Sequence, residues 1–239
     1  MEGVSAILRV LVRTGAELLV TLGALVVAFA AYLLVWSDVQ NAAAQSELRE
    51  TFEAQVVQAS RTTTPAAAPS ARRTRDRGDR VTTTTPLVPP PQGTGVGVLS
   101  IPRLGEGWSR VLVEGVESAQ LALGPGHFPG TAMPGQVGNF AVAGHRATNG
   151  EPFARLDTLV PGDEVVVQTV AATFTYVVDT TELVAPTATE VLEPVPGRPG
   201  ATPRKALLTL VTCHPRWGSA QRMIVSGHLV DSSPASGGA

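Results

Sequence analysis

Glycine and proline cut the chain from Gly95 onward into short pieces, and this punctuation limits the fold more than any other feature. The 239 residues include 24 glycines and 19 prolines. The apolar runs between them have strand rather than helix length. They are VGVLSI (96–101), RVLV (110–113), FAVA (140–143), EVVVQTV (164–170), FTYVVD (174–179), LLTLVTC (207–213) and MIVSGHLV (223–230). Seven or eight such strands with little helix predict an all-β barrel or sandwich. Residues 164–170 and 174–179 read as a hairpin around Ala171 and Ala172, and 207–213 with 223–230 as another. Residues 117–123 have room for a helical turn or two, and 153–159 for one. The segments 124–139 (GPGHFPGTAMPGQVGN) and 184–202 read as irregular connections. A domain over 95–231, about 135 residues, is large enough to bury a core without disulfides.

The residues before this domain obey different rules. The run LLVTLGALVVAFAAYLLVW, 18–36, has no charged side chain. At ~1.5 Å per residue it spans a hydrocarbon core of ~30 Å as a helix. Tyr32 and Trp36 close its far end, where amphipathic rings favour the interface, and Arg9 and Arg13 hold residues 1–17 on the cytoplasmic side. The alternative is a signal peptide cleaved near Ala42, Ala43 and Ala44. The run is long for one, so an uncleaved single-pass anchor in the cell membrane is expected, with the domain outside. Residues 37–94 are expected to be a largely disordered extracellular linker. Residues 37–60 are rich in Ala, Gln and Glu, with helical character but too few apolar positions for a core. Residues 61–92 are mostly Thr, Pro, Ala and Arg, which cannot bury enough surface to offset their ordering entropy. The cluster Arg72, Arg73, Arg75, Arg77 and Arg80 reads as a solvated charge run. Residues 232–239 read as a flexible tail.

A net charge of −2 argues against a nucleic-acid partner. One cysteine excludes an internal disulfide and multi-cysteine metal motifs. No cofactor motif stands out, and no metal site is expected.

That cysteine, Cys213, ends an apolar run where Pro215 and Gly218 make a turn, and Arg222 opens the return run. If the two runs pair antiparallel, Cys213 and Arg222 meet at one end of the hairpin. A thiol beside a guanidinium is biased toward the thiolate, the nucleophilic form. The plain alternative is a packed cysteine, a common fate of this residue. A cysteine nucleophile usually needs a histidine. His214 is adjacent to Cys213, so on a strand it points to the opposite face. His228 lies inside the last run. His127 and His145 occupy loop positions, where functional residues concentrate. His145 is the better candidate because it ends an apolar strand, as Cys213 does. Arg222 has the donor fork to stabilise an oxyanion. Arg103, Arg110, Arg146, Arg155 and Arg216 have no comparable position, and no carboxylate stands out as a third member.

Thr209-Leu210-Val211-Thr212-Cys213 followed by Arg222 resembles the TLxTC…R signature of sortases, the cysteine transpeptidases of Gram-positive cell surfaces. GHFPGTAMPGQVGNFAVAGHR, 126–146, is similar to the histidine segment of the class E sortases of actinomycetes. The resemblance covers about residues 95–230, and the anchor and tether match the family's layout. It implies a closed β-barrel of about eight strands with short helices. It also implies that Cys213 attacks the Thr–Gly carbonyl of an LAxTG- or LPxTG-type sorting signal, with LAxTG favoured. His145 would be the general acid and base, Arg222 would stabilise the oxyanion, and Thr212 would help position substrate. His127 would be a site-wall residue. The implied partners are surface proteins bearing the signal and a lipid II-type peptidoglycan precursor amine. Alternatives within this reading are a pilin-polymerising sortase and a non-catalytic, membrane-anchored sortase-like binding domain. An L,D-transpeptidase would carry a histidine just before its cysteine, and residues 208–212 contain none.

Overall fold

The computed structural model describes residues 2–62 and 88–234, without the side chains of residues 2–10, 33–35 and 62. Eight strands form a closed barrel: β1 (Gly95–Ser100), β2 (Ser109–Glu114), β3 (Gly126–His127), β4 (Gly138–Ala143), β5 (Glu164–Gln168), β6 (Ala172–Val184), β7 (Ala206–His214) and β8 (Gln221–Pro234). Their order around the barrel is β1-β2-β3-β4-β7-β8-β6-β5. Closure leaves no open sheet edge, which is how short strands of this kind avoid unpaired backbone. Alternation along each strand fills the interior. Leu99, Leu112, Phe140, Val142, Val165, Val167, Phe174, Tyr176, Leu208, Leu210, Met223 and Val225 share one core. The Tyr176 hydroxyl accepts a hydrogen bond from Gly135 N at 2.7 Å, so the largest buried ring leaves no orphaned oxygen. Burial raises its pKa.

The strand runs expected from sequence are present, with three differences. First, the 124–139 segment is not wholly irregular. Its Gly126 and His127 form β3, which pairs parallel with β2 and antiparallel with β4. Second, β6 runs on to Val184, through polar, exposed residues that pair with β8. Third, the expected tail begins as strand. Ser232, Ser233 and Pro234 continue β8 and face Phe174, Thr173 and Ala172. Backbone pairing alone extends these strands, so no apolar pattern announces them.

A larger correction concerns residues 37–62. One helix, α1 (Glu2–Thr62), continues past the apolar run and docks on the barrel. Its first part is apolar and exposed at Leu18, Leu19, Val20, Leu22, Leu25, Val26 and Val27, and it is long enough to cross a membrane. Its second part packs. Phe52, 3% exposed, sits on Val98 and Val111, flanked by Leu48, Val56 and Val170. The side chain of Gln45 donates to Val111 O (3.0 Å) and Leu123 O (2.8 Å) and accepts from Val111 N (2.8 Å). Asn41 donates to Ala122 O at 2.9 Å, just after the short helix α2 (Ser118–Leu121). The expected lack of a core fails because hydrogen bonds to barrel backbone do much of the holding. The arginine cluster at 72–80 lies outside the described residues.

Phe52→Ala is expected to cost about 3 kcal/mol of docking free energy. Hydrogen exchange of the full chain in detergent should speed up across residues 41–56 while the barrel core stays protected. Unchanged exchange there would mean that α1 is not held by this contact.

Candidate active site

The site is assembled by β4 and β7, which lie side by side and parallel, from Gly138 opposite Ala206 to Ala143 opposite Val211. Their alignment continues past β4. Gly144 N donates to Val211 O at 3.0 Å. Thr212 Oγ1 donates to Gly144 O at 2.7 Å, and Arg146 Nη1 donates to His214 Nδ1 at 2.8 Å, both pairs 68 positions apart. His145 and Cys213 lie between these two pairs at the same offset, so they stand level at the ends of adjacent strands.

Alternation sets the face. Phe140 and Val142 of β4, and Leu208 and Leu210 of β7, point into the core. The other parity, Asn139 and Thr209, meets outside it, where Thr209 Oγ1 donates to Asn139 Oδ1 at 2.8 Å. Cys213 belongs to this outer set, and the same alternation carried through Gly144 puts His145 with it. Gly144 is required here: a Cβ would come within 2.5 Å of the Phe153 ring. The chain can pass over that ring into His145 only as glycine.

Across the hairpin, Cys213 is the register partner of Arg222, as expected from sequence. Antiparallel partners share a face. Arg222 Nη1 donates to Ser219 O (3.0 Å) and Gln221 O (3.2 Å), which fixes the guanidinium at the hairpin mouth. Its Nε and Nη2 have no partner among the described residues and face no competing carboxylate in an ion pair there. Cys213, His145 and Arg222 are all half-buried, accessible to a ligand yet partly shielded from water. Burial lowers the His145 pKa below the ordinary 6.5, because the imidazolium loses solvation. A groove of about 720 Å³ lies under the 185–205 connection, lined in part by Val191, Pro196, Leu207 and Ile224. It reaches Val184, the register partner of Arg222.

Two residues expected to meet substrate are buried and bonded within the fold. His127 is 0% exposed and stacks on Phe140 inside the barrel wall. Its Nδ1 lies 2.7 Å from Glu114 Oε2, and its Nε2 faces Thr131 Oγ1 and Ala132 O. It therefore ties β2 to the loop before β4 and is closed to a substrate. Thr212 is also buried, and its hydroxyl is engaged by Gly144 O, so it fastens the two strand ends together.

Sequence reasoning passed over Arg146. It is buried, bonds His214 through Nη1 and pairs with Asp157 through Nη2 at 3.1 Å. Since arginine only donates, His214 accepts at Nδ1. The Nε of Arg146 has no partner among the described residues. This side chain spans the residues that follow His145 and Cys213. The signal available in sequence was its place directly after the histidine, in Gly-His-Arg.

A sortase-domain family model matches residues 99–230. The chain belongs to the sortase family. It is 39% identical over 154 residues to sortase SrtE1 of Streptomyces coelicolor, over 61% of this chain and 43% of that protein. Sortase SrtE2 of the same organism is 30% identical, over 60% of this chain and 59% of that protein. The chain thus spans about half the length of these curated relatives. Among solved structures, sortase E from Streptomyces avermitilis is 43% identical, with a TM-score of 0.55 over 60% of this chain and 93% of that chain. The SrtA sortase from Actinomyces oris is 34% identical, with a TM-score of 0.61 over 67% of this chain and 93% of that chain. The sortase barrel expected from sequence is therefore the fold observed.

Arg146→Met should loosen the two strand ends without emptying the core. Displacements of the order of 1 Å at reacting groups cost roughly 100-fold in rate. A loss of acylation rate of about 10- to 100-fold is expected, with Cys213 still open to iodoacetamide. An unchanged rate would show that the Arg146 bridge does not position the site.

Proposed function

We propose that this sortase-family chain is a membrane-anchored cysteine transpeptidase that attaches proteins to the cell wall. Two features support the reading: Cys213 is the register partner of Arg222, and the β4–β7 offset, kept by the Thr212–Gly144 and Arg146–His214 bonds, brings His145 alongside Cys213 when carried past Ala143. Cys213 Sγ, as thiolate, attacks the carbonyl of the Thr–Gly bond in an LAxTG- or LPxTG-type signal. The S–C bond forms and the carbonyl oxygen takes the negative charge, facing the donors of Arg222. The C–N bond then breaks as the imidazolium of His145 gives its proton to the leaving glycine amine. A thioacyl enzyme remains. In the second half, an amine of a peptidoglycan precursor attacks that carbonyl, neutral His145 takes the proton, and the thiolate departs. The groove that reaches Val184 sets the apolar Val184, Val191 and Ile224 beside the charged Glu182, Glu190 and Arg198, and takes the side chains before the scissile bond. The apolar part of α1 serves as the single-pass anchor, N-terminus in the cytoplasm and barrel outside.

Burial of His145 bears on rate. The acid form is needed for acylation, and it disappears as pH rises through a pKa that lies below 6.5. At neutral pH the doubly competent pair, thiolate with imidazolium, is a minority state, and turnover should be slow. Acylation should follow a bell-shaped profile whose lower inflection lies below the ordinary imidazole value. A flat profile between about pH 5 and 10 would count against this acid.

Incubating the protein with an LAxTG peptide and reading intact mass tests the chemistry itself. An added mass equal to the fragment ending at threonine is expected, absent in Cys213→Ala. No adduct on a protein whose Cys213 alkylates readily would point to a different thiol chemistry.

A further inference from the structure

Trp217 is 73% exposed, an unusual setting for a tryptophan on the barrel. It sits on the β7–β8 turn, four positions after Cys213, among residues 215–220 that are all exposed. The turn is not free of the rest of the fold. Arg216 Nη2 pairs with the carboxylate of Glu151, and the Arg216 guanidinium lies 5.4 Å from the Trp217 ring centroid. Glu151 belongs to a turn in which Asn149, Gly150 and Glu151 all take positive φ. That turn is fixed to α1. Gly150 N donates to Asp38 Oδ1 at 3.1 Å, and Gly150 approaches Asn41 Oδ1 so closely that no Cβ would fit.

Asp38 lies only two residues beyond Trp36, about 3 Å along the helix axis. The apolar, exposed stretch of α1 ends there, with Tyr32 and Trp36 stacked at 5.9 Å. The contacts Asp38–Gly150, Glu151–Arg216 and Arg216–Trp217 therefore run from the end of the apolar stretch directly to an exposed indole. Interfacial placement is the preferred setting of such a side chain, apolar in body with one N–H to satisfy.

We propose that the 148–151 turn and Trp217 rest on the headgroup layer of the bilayer that α1 crosses, so that the mouth of the Cys213–Arg222 hairpin is held at the membrane surface. This rests on the reading of α1 as the anchor. The occupant of the exposed face is lipid, because the face is continuous with the helix that enters it. Such a placement selects acyl donors and amine acceptors that are themselves retained at the membrane.

The full chain has three tryptophans, Trp36, Trp108 and Trp217. Trp108 packs against the core, and its neighbour Ser109 bonds Arg49, about 18 Å up the helix from Ser37. The test reconstitutes the full chain in phosphatidylcholine–phosphatidylglycerol vesicles that contain a lipid with a shallow nitroxide quencher. Trp36 and Trp217 should be quenched and Trp108 spared, so roughly two-thirds of the emission is lipid-quenchable if yields are similar. Trp217→Phe, an exposed change that leaves the core intact, should lower this to roughly one-half, and so should Trp36→Phe. A quenchable fraction that falls with Trp36→Phe but not with Trp217→Phe would overturn the surface contact while leaving the anchor in place. A fraction unmoved by either change would overturn the anchor and the contact together.

Discussion

The parallel pairing of β4 with β7 is the constraint on which the rest depends. Each strand alone delivers one reactive side chain to the end of an apolar run. The ladder makes those ends coincide, and the bonds Gly144–Val211, Thr212–Gly144 and Arg146–His214 keep them level beyond the last pair. A slip of one residue would turn either side chain toward the core. The barrel resists that slip because Phe140, Val142, Leu208 and Leu210 would have to leave the interior together.

Charge follows from the same arrangement. The outer face at Cys213 is half-buried, which disfavours the imidazolium of His145. Across the hairpin stands the permanently charged Arg222, fixed by two carbonyls of its own turn. The buried polar groups nearby are nearly all paired with one another. His127 with Glu114 and Asn139 with Thr209 stiffen the walls rather than face a ligand. Stiff walls matter because a reaction that passes through a thioacyl intermediate must present one carbonyl carbon to two nucleophiles in turn.

Local chemistry was legible in the sequence, and non-local chemistry was not. The Cys213–Arg222 hairpin could be read because a turn of Pro215 and Gly218 sets it. The β4–β7 pairing joins segments far apart in the chain, and only family resemblance singled out its histidine with any force. Arg146 was missed because arginine is ordinarily exposed, and nothing in a charge count marks one that a fold buries. The docking of α1 was missed for a related reason. Asn41 and Gln45 hold the helix by bonding barrel backbone, while apolar periodicity registers only Leu48, Phe52 and Val56. His127 looked like a loop histidine in a glycine-rich segment, and β3 is too short to show a period.

The most direct test of this account is geometric. Neighbouring strands lie ~4.8 Å apart, within the ~4.4–6.8 Å Cα separation that a disulfide spans. If His145 and Cys213 stand level on one face, His145→Cys should oxidise under mild conditions to a bond with Cys213. Intact mass would then show the loss of the two thiol hydrogens, and iodoacetamide would no longer label the protein. Ala147→Cys, beyond the aligned pair, should leave both thiols free. Two alkylatable thiols in His145→Cys after the same oxidation would contradict the register from which the site is built.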